Sequence, residues 1–407
     1  MTTLFIVGSR GIPANYGGFE TFAEAIATRL AARGRPVYVT CEHPLGQPQG
    51  PSTYRGVNLL HVTAPDNNLR TIVADVKALG RCWHLAEPGD VVYLLGYGVG
   101  GFGWPVLKAL RAKGVRVWLN PDGIEWKRSR WSVWAQAYLR VSEWFVPRHV
   151  DRVICDSEAI EAHHLQSGGL DSAQTDVIEY GAPVVRRDDL SSAVIERRNE
   201  YLAQHGLSPG DYFIQVGRLV PENNLELMIR GILDDRVRRS LLIIANRDEN
   251  EAFYRTLRRL VEAAGASHRV LFVGTIYDQP LLRAFRLGAF AHLHGHEVGG
   301  TNPALVEAMG LGTLILSLNT PFNREVLGEA GLFFGKSVES VVRTIRRAER
   351  LSDEAVQHYR WRAVERVRTW YNWERVTDKY EERVWETSTS PAGIRTPSAS
   401  ASVFQAD

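Results

Sequence analysis

The sequence predicts an α/β fold built twice in succession, each half a parallel sheet with helices on both faces. Three observations predict it. Short unbroken apolar runs such as Leu4–Val7 and Val91–Leu95 alternate with segments of helical periodicity, the pattern of strands buried on both sides. The alternation restarts at Tyr212–Val216 after a polar stretch from Arg186 to Arg198, so the 407 residues divide into two units near 184–205. In both units glycine-rich loops follow strands, where open α/β sheets bind ligands.

In chain order, the strand Leu4–Val7 runs into Gly8-Ser-Arg-Gly-Ile-Pro-Ala-Asn-Tyr-Gly-Gly-Phe-Glu20, followed by a helix over Thr21–Ala32 that Gly34 ends. Strands follow at Pro36–Thr40 and Val57–Thr63, then a helix over Asn68–His84. The turn Glu87-Pro-Gly-Asp precedes the strand Val91–Leu95, and a helix over Trp104–Lys113 closes at Gly114. Val115–Leu119, Val153–Cys155 and Thr175–Glu179 complete the strands of the first unit. The second unit opens with the strand Tyr212–Val216, the loop Gly217–Asn224 and a helix to Ile232. Its other strands are Leu241–Ala245, Val270–Val273, Ala289–Leu293, Leu314–Leu318 and Leu332–Phe334. Residues 338–386 are mostly helical, and the Ser, Thr, Pro, Ala and Gly composition from Ser388 onward predicts disorder.

Composition narrows the function. A net charge of +2 disfavours a strongly acidic or basic partner, and Arg343, Arg346, Arg347 and Arg350, mixed with acidic residues, read as a solvated helix face; no nucleic acid is expected. Cys41, Cys82 and Cys155 form no CxxC pair, which fits reduced thiols in a cytoplasmic protein. His294 and His296 flank Gly295 without a third ligand at metal spacing, so no metal and no cofactor are expected. The apolar run at Leu4–Val7 is too short for a signal peptide, and no stretch approaches the roughly 20 apolar residues of a spanning helix, so membrane contact would be peripheral.

The most informative stretch is His294-Gly-His-Glu-Val-Gly-Gly-Thr-Asn-Pro-Ala-Leu-Val-Glu-Ala-Met-Gly-Leu-Gly312. Gly299 and Gly300 leave the backbone bare, Asn302 suits an N-cap and Pro303 the first helical position. Free amides backed by a helix dipole favour an anion, typically phosphate. Glu307, one turn into the helix, is placed to accept a hydrogen bond from a sugar hydroxyl.

With these residues in view the chain resembles the retaining glycosyltransferases of family 4. Val216-Gly-Arg-Leu-Val-Pro-Glu-Asn-Asn224 is similar to that family's G-R-x-x-x-x-K segment, and the stretch ending at Glu307-Ala-Met-Gly-Leu-Gly to its E-x7-E segment. Gly17-Gly-Phe-Glu20, Cys155-Asp-Ser-Glu158 and Val177-Ile-Glu-Tyr-Gly181 resemble its glycine loop, D-S-E and I-x-N-G segments. The wording Gly8-Ser-Arg-Gly-Ile-Pro, Asn120-Pro-Asp-Gly-Ile-Glu-Trp126 and Glu297-Val-Gly-Gly-Thr-Asn-Pro303 resembles the bacterial rhamnosyltransferase branch, which builds capsule or cell-wall polysaccharide. The resemblance implies a GT-B fold: a Rossmann-like acceptor-binding domain over 1–185 and a Rossmann-like sugar-nucleotide domain over 186–372. It also implies a helix over 373–387 that crosses back to the first domain, with 388–407 a disordered tail.

The resemblance further implies a donor site of Gly17, Gly18, Arg218, Asn223, Gly299, Gly300, Thr301, Asn302 and Glu307. Two positions depart from the family pattern: its lysine is Asn223 here, and its first glutamate is Gly299. Arg218 and the loop amides would carry the diphosphate, and a donor with different hydroxyls, such as a deoxysugar, is compatible with Gly299. A leaving diphosphate calls for positive charge where negative charge develops, a task suited to Arg218. Asp122, Glu125 and Asp156 follow strands and face the expected acceptor side; Asp156 and Tyr180 are the better candidates to orient or deprotonate the acceptor hydroxyl, with Asp122, Glu125 and Trp126 as acceptor contacts. A helix cap is the competing role for Asp156.

Trp126, Arg130, Trp134 and Tyr138 recur every four residues, which predicts one helical face suited to lipid headgroups or, equally, to a core. The expected partners are a nucleotide sugar (dTDP-rhamnose, or a UDP-sugar), a polyprenyl-diphosphate-linked saccharide and a peripheral membrane surface, the last placing the protein at the inner face of the plasma membrane. The alternatives are a UDP-hexose transferase of the same fold and a nucleotide-sugar-binding protein without turnover. A dinucleotide-dependent dehydrogenase is disfavoured because Gly8-Ser-Arg-Gly11 is not G-x-G-x-x-G.

Overall fold

The computed structural model describes residues 1–14, 17–46, 50–66, 70–127, 131–167, 170–248 and 251–385. The expected helix start at Asn68, Arg130 of the aromatic stripe, and the tail 388–407 lie outside them.

Two sheets organise the chain. The first contains β1 (Leu4–Val7), β2 (Val37–Pro44), β3 (Thr53–Tyr54), β4 (Val57–Ala64), β5 (Val91–Leu95), β6 (Arg116–Asn120), β7 (Arg152–Cys155) and β8 (Thr175–Val177). Their order is β3-β4-β2-β1-β5-β6-β7-β8, parallel except for the short edge strand β3. The second contains β9 (Tyr212–Val216), β10 (Ser240–Ile244), β11 (Val270–Phe272), β12 (Ala291–His294), β13 (Leu314–Leu318) and β14 (Leu332–Phe334). Its order is β11-β10-β9-β12-β13-β14, parallel throughout. Central strands such as β5, β10 and β13 are buried along their whole length, as their continuous apolar runs require.

Strand order reverses between β1 and β5 in the first sheet and between β9 and β12 in the second. At such a reversal the loops leaving the two strands diverge to opposite faces and open a crevice. The expected strand at Ala289–Leu293 begins at Ala291, because Ala289 caps the helix Gln279–Gly288. The helix expected from Thr21 starts at Gly18, with Gly17 as its N-cap, so the glycine pair is part of the helix entrance rather than a loop before it.

The chain crosses between the halves twice. Ala182 donates its N–H to Tyr371 O (2.6 Å) and makes an isolated parallel bridge with Asn372. The helix Trp373–Trp385 then packs on the helix Gly18–Ala32. Tyr380 enters the first core, where its hydroxyl meets that of Tyr93 at 2.8 Å, and the Trp385 indole donates to Thr2 O at 2.7 Å. Arg33 reaches Glu374, Asp378 and Glu381 of the crossing helix at 2.7–2.9 Å. These surface pairs orient the helix more than they stabilise it; the buried Tyr380, Val376 and Trp373 side chains do the larger part.

Candidate active site

The loops leaving the carboxyl ends of the two sheets meet. After β9 the chain forms Gly217–Asn224, with a 3-10 turn at Pro221–Asn223 and Asn224 in the left-handed region (φ 50°). After β12 it forms Gly295–Asn302, which leads into the helix Pro303–Gly310. Asn302 accepts from Ala304 N at 3.0 Å and Pro303 occupies the first turn, the helix start expected from the sequence. Gly299 has φ +144°, open to glycine and strained for other residues.

Opposite this helix start stands the first domain. Pro303 lies against Gly18, 3.4 Å from where a Cβ would project. Thr301 donates its hydroxyl to Asp156 O at 2.5 Å. The Asp156 carboxylate lies so close to Gly300 that a Cβ there would sit 1.6 Å from Oδ1. That oxygen is buried without a hydrogen-bond partner. Desolvation, then the charges of Asp122 and Glu325, push the Asp156 carboxyl well above the usual carboxylate range. The cap of the helix Glu158–Gln166 is Ser157, whose side chain accepts from Ile160 N, which leaves the Asp156 side chain to the cleft.

Glu325, which the sequence reading passed over, spans the same junction. From the helix Pro321–Leu327 it accepts from Glu158 N (2.7 Å) and Ala159 N (3.0 Å) of the first domain. Burial outweighs those two bonds and raises its carboxyl to about 7. Its sequence carried no signal, because the partner amides are 167 and 166 residues away.

On the second-domain side, Arg218 is exposed at the mouth of the loop. Asn223 donates from Nδ2 to the Arg218 carbonyl at 2.7 Å and meets His296 Nδ1 through Oδ1, also at 2.7 Å. Glu307 is already engaged: Oε2 accepts from Arg286, a buried guanidinium, at 2.6 Å. This pairing fixes Glu307 in a half-exposed position. The buried Tyr180 hydroxyl has no hydrogen-bond partner; burial first, then the Glu307 charge, raises it, and its ring packs edge-on against Trp373 at 4.9 Å. Glu307 thus stands near enough to Tyr180 for its charge to act there, while Asp156, Gly300 and Thr301 meet beside the Pro303–Gly18 contact.

Of the remaining first-domain candidates, Asp122 stands near enough to Asp156 for its charge to act there, and Glu125 and Trp126 lie on the turn that follows. Asp122 has a left-handed backbone (φ 60°) and its N–H is held by Asn120 Oδ1 at 2.8 Å. Glu125 N donates to the Tyr97 hydroxyl (2.9 Å), which in turn donates to Glu143 (2.9 Å), a buried polar chain into the helix Val133–Phe145. The Trp131 indole donates to Glu125 Oε1 at 2.9 Å.

The expected helical stripe is corrected here. Trp126 lies on a 3-10 turn (Glu125–Lys127), the helix begins at Val133, and Ser132 caps it. Trp126 packs against the core on the other face of the first sheet, with Arg140 over its ring at 5.1 Å, and Tyr138 turns inward to donate to Gly98 O. The residues actually exposed on this helix are Val133, Trp134, Ala137, Arg140, Val141 and Trp144. A four-residue recurrence that crosses a turn does not define a helical face.

Among the described residues no group of three His, Cys, Asp or Glu side chains could hold a metal, and no helix is long and apolar enough to cross a membrane.

Comparison with known proteins adds to this geometry. Residues 1–183 match the family described as a domain of unknown function, DUF1972, and residues 197–365 match glycosyl transferases group 1. No curated protein matches. Among solved structures, a sucrose-phosphate synthase from Thermosynechococcus elongatus is 18% identical with a TM-score of 0.75, over 94% of this chain and 98% of that one. Anabaena HepE in complex with UDP and glucose is 16% identical with a TM-score of 0.72, over 94% and 99%. A glycosyltransferase from Rickettsia africae is 12% identical with a TM-score of 0.69, over 95% and 99%. At these identities the structures speak to the fold.

Proposed function

We propose a donor, an acceptor and a mechanism for this chain, which is a glycosyltransferase of the GT-B fold with a glycosyl transferases group 1 domain in its second half. It moves a sugar, L-rhamnose from dTDP-rhamnose, onto a lipid-linked saccharide with retention at the anomeric carbon. The observation that carries the reading is the meeting of Arg218, Asn223 and the Gly299–Thr301 helix start with Asp156 and Gly18. A guanidinium and bare amides at a helix N-terminus suit a diphosphate. Arg218 and the loop amides take up the charge that develops on the leaving phosphate. Glu307, held by Arg286, accepts the nucleotide ribose hydroxyl. Asp156 and Tyr180 stand on the acceptor side, where Asp156 orients or deprotonates the acceptor hydroxyl. No residue of the sequence announces itself as a covalent nucleophile, so in this reading the departing phosphate assists attack on the same face.

Thermal shift across dTDP-, UDP- and GDP-sugars tests the donor, since a ligand bound by the native state raises the melting temperature. The rhamnose reading predicts the largest shift with dTDP-rhamnose, and release of dTDP on adding acceptor. A largest shift with a UDP-hexose favours the second reading, which Anabaena HepE, solved with UDP and glucose, supports. Binding without nucleotide release would leave a nucleotide-sugar-binding protein.

A surface on the first domain supports an acceptor held at the inner face of the plasma membrane. Trp134 (85% exposed), Val141 (63%) and Trp144 (57%) line the outward side of the helix Val133–Phe145. Phe102 and Trp104 extend the patch, with Lys108 over Trp104 and Arg148 over Trp144. The exposed charged residues of the helices Trp104–Ala112 and Val133–Phe145 are basic, a complement to anionic headgroups. The Glu143–Tyr97–Glu125 chain ties this surface to the acceptor loop. Trp134→Ser with Trp144→Ser reduces pelleting with phosphatidylglycerol vesicles at least about fivefold; unchanged pelleting removes the membrane from this reading.

A further inference from the structure

The loop after β12 carries a side chain that none of the preceding roles uses. His296 stands at the point where the order of the second sheet reverses, between the ends of β9 and β12, and its backbone is clamped there. Its carbonyl accepts from Asn323 Nδ2 at 2.8 Å, and the next N–H, of Glu297, donates to Glu222 O at 3.0 Å. One residue earlier, Asn224 Nδ2 donates to Gly295 O at 2.9 Å, and Gly295 leaves no room for a Cβ against Asn223 O.

The ring is oriented as firmly as the backbone. Asn223 spends its Nδ2 on the Arg218 carbonyl, so its Oδ1 faces the imidazole. An amide oxygen only accepts, so Nδ1 carries the hydrogen, and in the neutral ring Nε2 is the acceptor. Nε2 lies over Gly299, 3.2 Å from where a Cβ would project. The glycine has the backbone (φ +144°) that side chains avoid, so this space is kept for the imidazole and whatever meets it. Glu297, the nearest carboxylate in sequence, is turned away toward Lys336 at 2.7 Å. The two positions that depart from the resembled pattern, Asn223 and Gly299, are thus joined through one residue: Asn223 orients His296, and Gly299 makes room for it.

We propose that His296 is a donor-binding residue whose Nε2 accepts a hydroxyl of the transferred sugar, and that Asn223 is its positioning residue. The proposal rests on the donor-site reading above and names the group that reads the sugar rather than the nucleotide. An imidazole presenting a single acceptor selects a hydroxyl by position, and discriminates against a sugar lacking it because the buried side of the contact is then left unmatched.

The test compares His296→Ala, His296→Gln and Asn223→Ala in the full chain. Two quantities are read: affinity for the free nucleoside diphosphate by calorimetry, and KM and kcat for the nucleotide sugar. His296→Ala is expected to lower kcat/KM for the nucleotide sugar about 30-fold while the nucleoside diphosphate affinity stays within about threefold. His296→Gln, which restores an oxygen acceptor, recovers part of that loss, and Asn223→Ala gives a smaller loss that does not add to that of His296→Ala. Equal parameters for wild type and His296→Ala overturn the proposal. So does a parallel fall in nucleoside diphosphate affinity, which would make His296 a support of the loop. Should His296→Ala fail to fold, the glutamine and Asn223→Ala variants decide: nucleotide-sugar parameters indistinguishable from wild type in both reject it. Wild type that binds no nucleoside diphosphate at all overturns the donor-site reading, and this proposal with it.

Discussion

At the scale of single residues the junction of the two domains is unusually short of room. Gly300→Ala would drive a methyl group into the Asp156 carboxyl, both held by backbone on opposite domains. The variant is expected to keep its melting temperature within a few degrees while kcat/KM falls at least about tenfold, because the cleft cannot close; undiminished transfer would show that closure to this distance is not part of turnover. Arg218 is exposed and its removal leaves the core intact, so Arg218→Ala is expected to lower kcat by about 10²–10³-fold in a steady-state assay with an unchanged far-ultraviolet spectrum. Asp156→Asn keeps the shape and removes the titration; a drop in kcat without a change in donor KM supports its acceptor role, and an unchanged kcat returns it to packing. Much at this scale was legible in the sequence: Asn302, Pro303 and the glycine pair announce a helix start and a bare loop. The His296–Asn223 contact and the Glu325 cap were not. Each depends on strand order, which sets residues 73 and 167 positions apart side by side, and no local pattern encodes that distance.

At the scale of elements, periodicity served well inside regular structure and failed at its borders. The continuous apolar runs gave the central strands because both faces of each are covered. The Trp126–Tyr138 recurrence misled because Trp126 belongs to a 3-10 turn and the helix starts afresh at Ser132. The crossing helix Trp373–Trp385 was visible as a helix, yet its importance comes from Tyr380, which is 1% exposed and shares a hydrogen bond with Tyr93 of β5. Tyr380→Ala is expected to cost about 3–5 kcal/mol in a urea titration, of the size seen when large core side chains are truncated. Hydrogen exchange would localise the loss to β1 and β5; a loss confined to the last helix would mean that the helix and the first core unfold independently.

At the scale of the whole molecule, two sets of buried groups pull stability in opposite directions with pH. Burial lowers the His164 imidazole to about 4, so below pH 6.5 the unfolded chain takes up a proton that the folded chain refuses. Its contribution is complete above pH 6.5 and is lost as pH falls toward 4. Glu325 behaves oppositely: with its carboxyl raised to about 7, the folded chain holds a proton between about 4.5 and 7 that the unfolded chain has released, so its contribution declines as pH rises through that window. Relative to wild type, His164→Gln is expected to gain stability as pH drops from 6.5 to 4, and Glu325→Gln as pH climbs from 4.5 to 7, both read from urea midpoints. Slopes of the same sign would contradict the assignment.

The crossing of the last helix onto the first domain also sets the order of assembly. A nascent chain that has released residues 1–183 carries every strand of the first sheet, but the seat of Tyr380, Val376 and Trp373 is still vacant, an apolar trough open to water. That half reaches its final packing only when the closing helix leaves the ribosome, some two hundred residues later. An excised first half is therefore expected to be sticky and poorly soluble, and to recover when a peptide spanning 373–385 is supplied in trans.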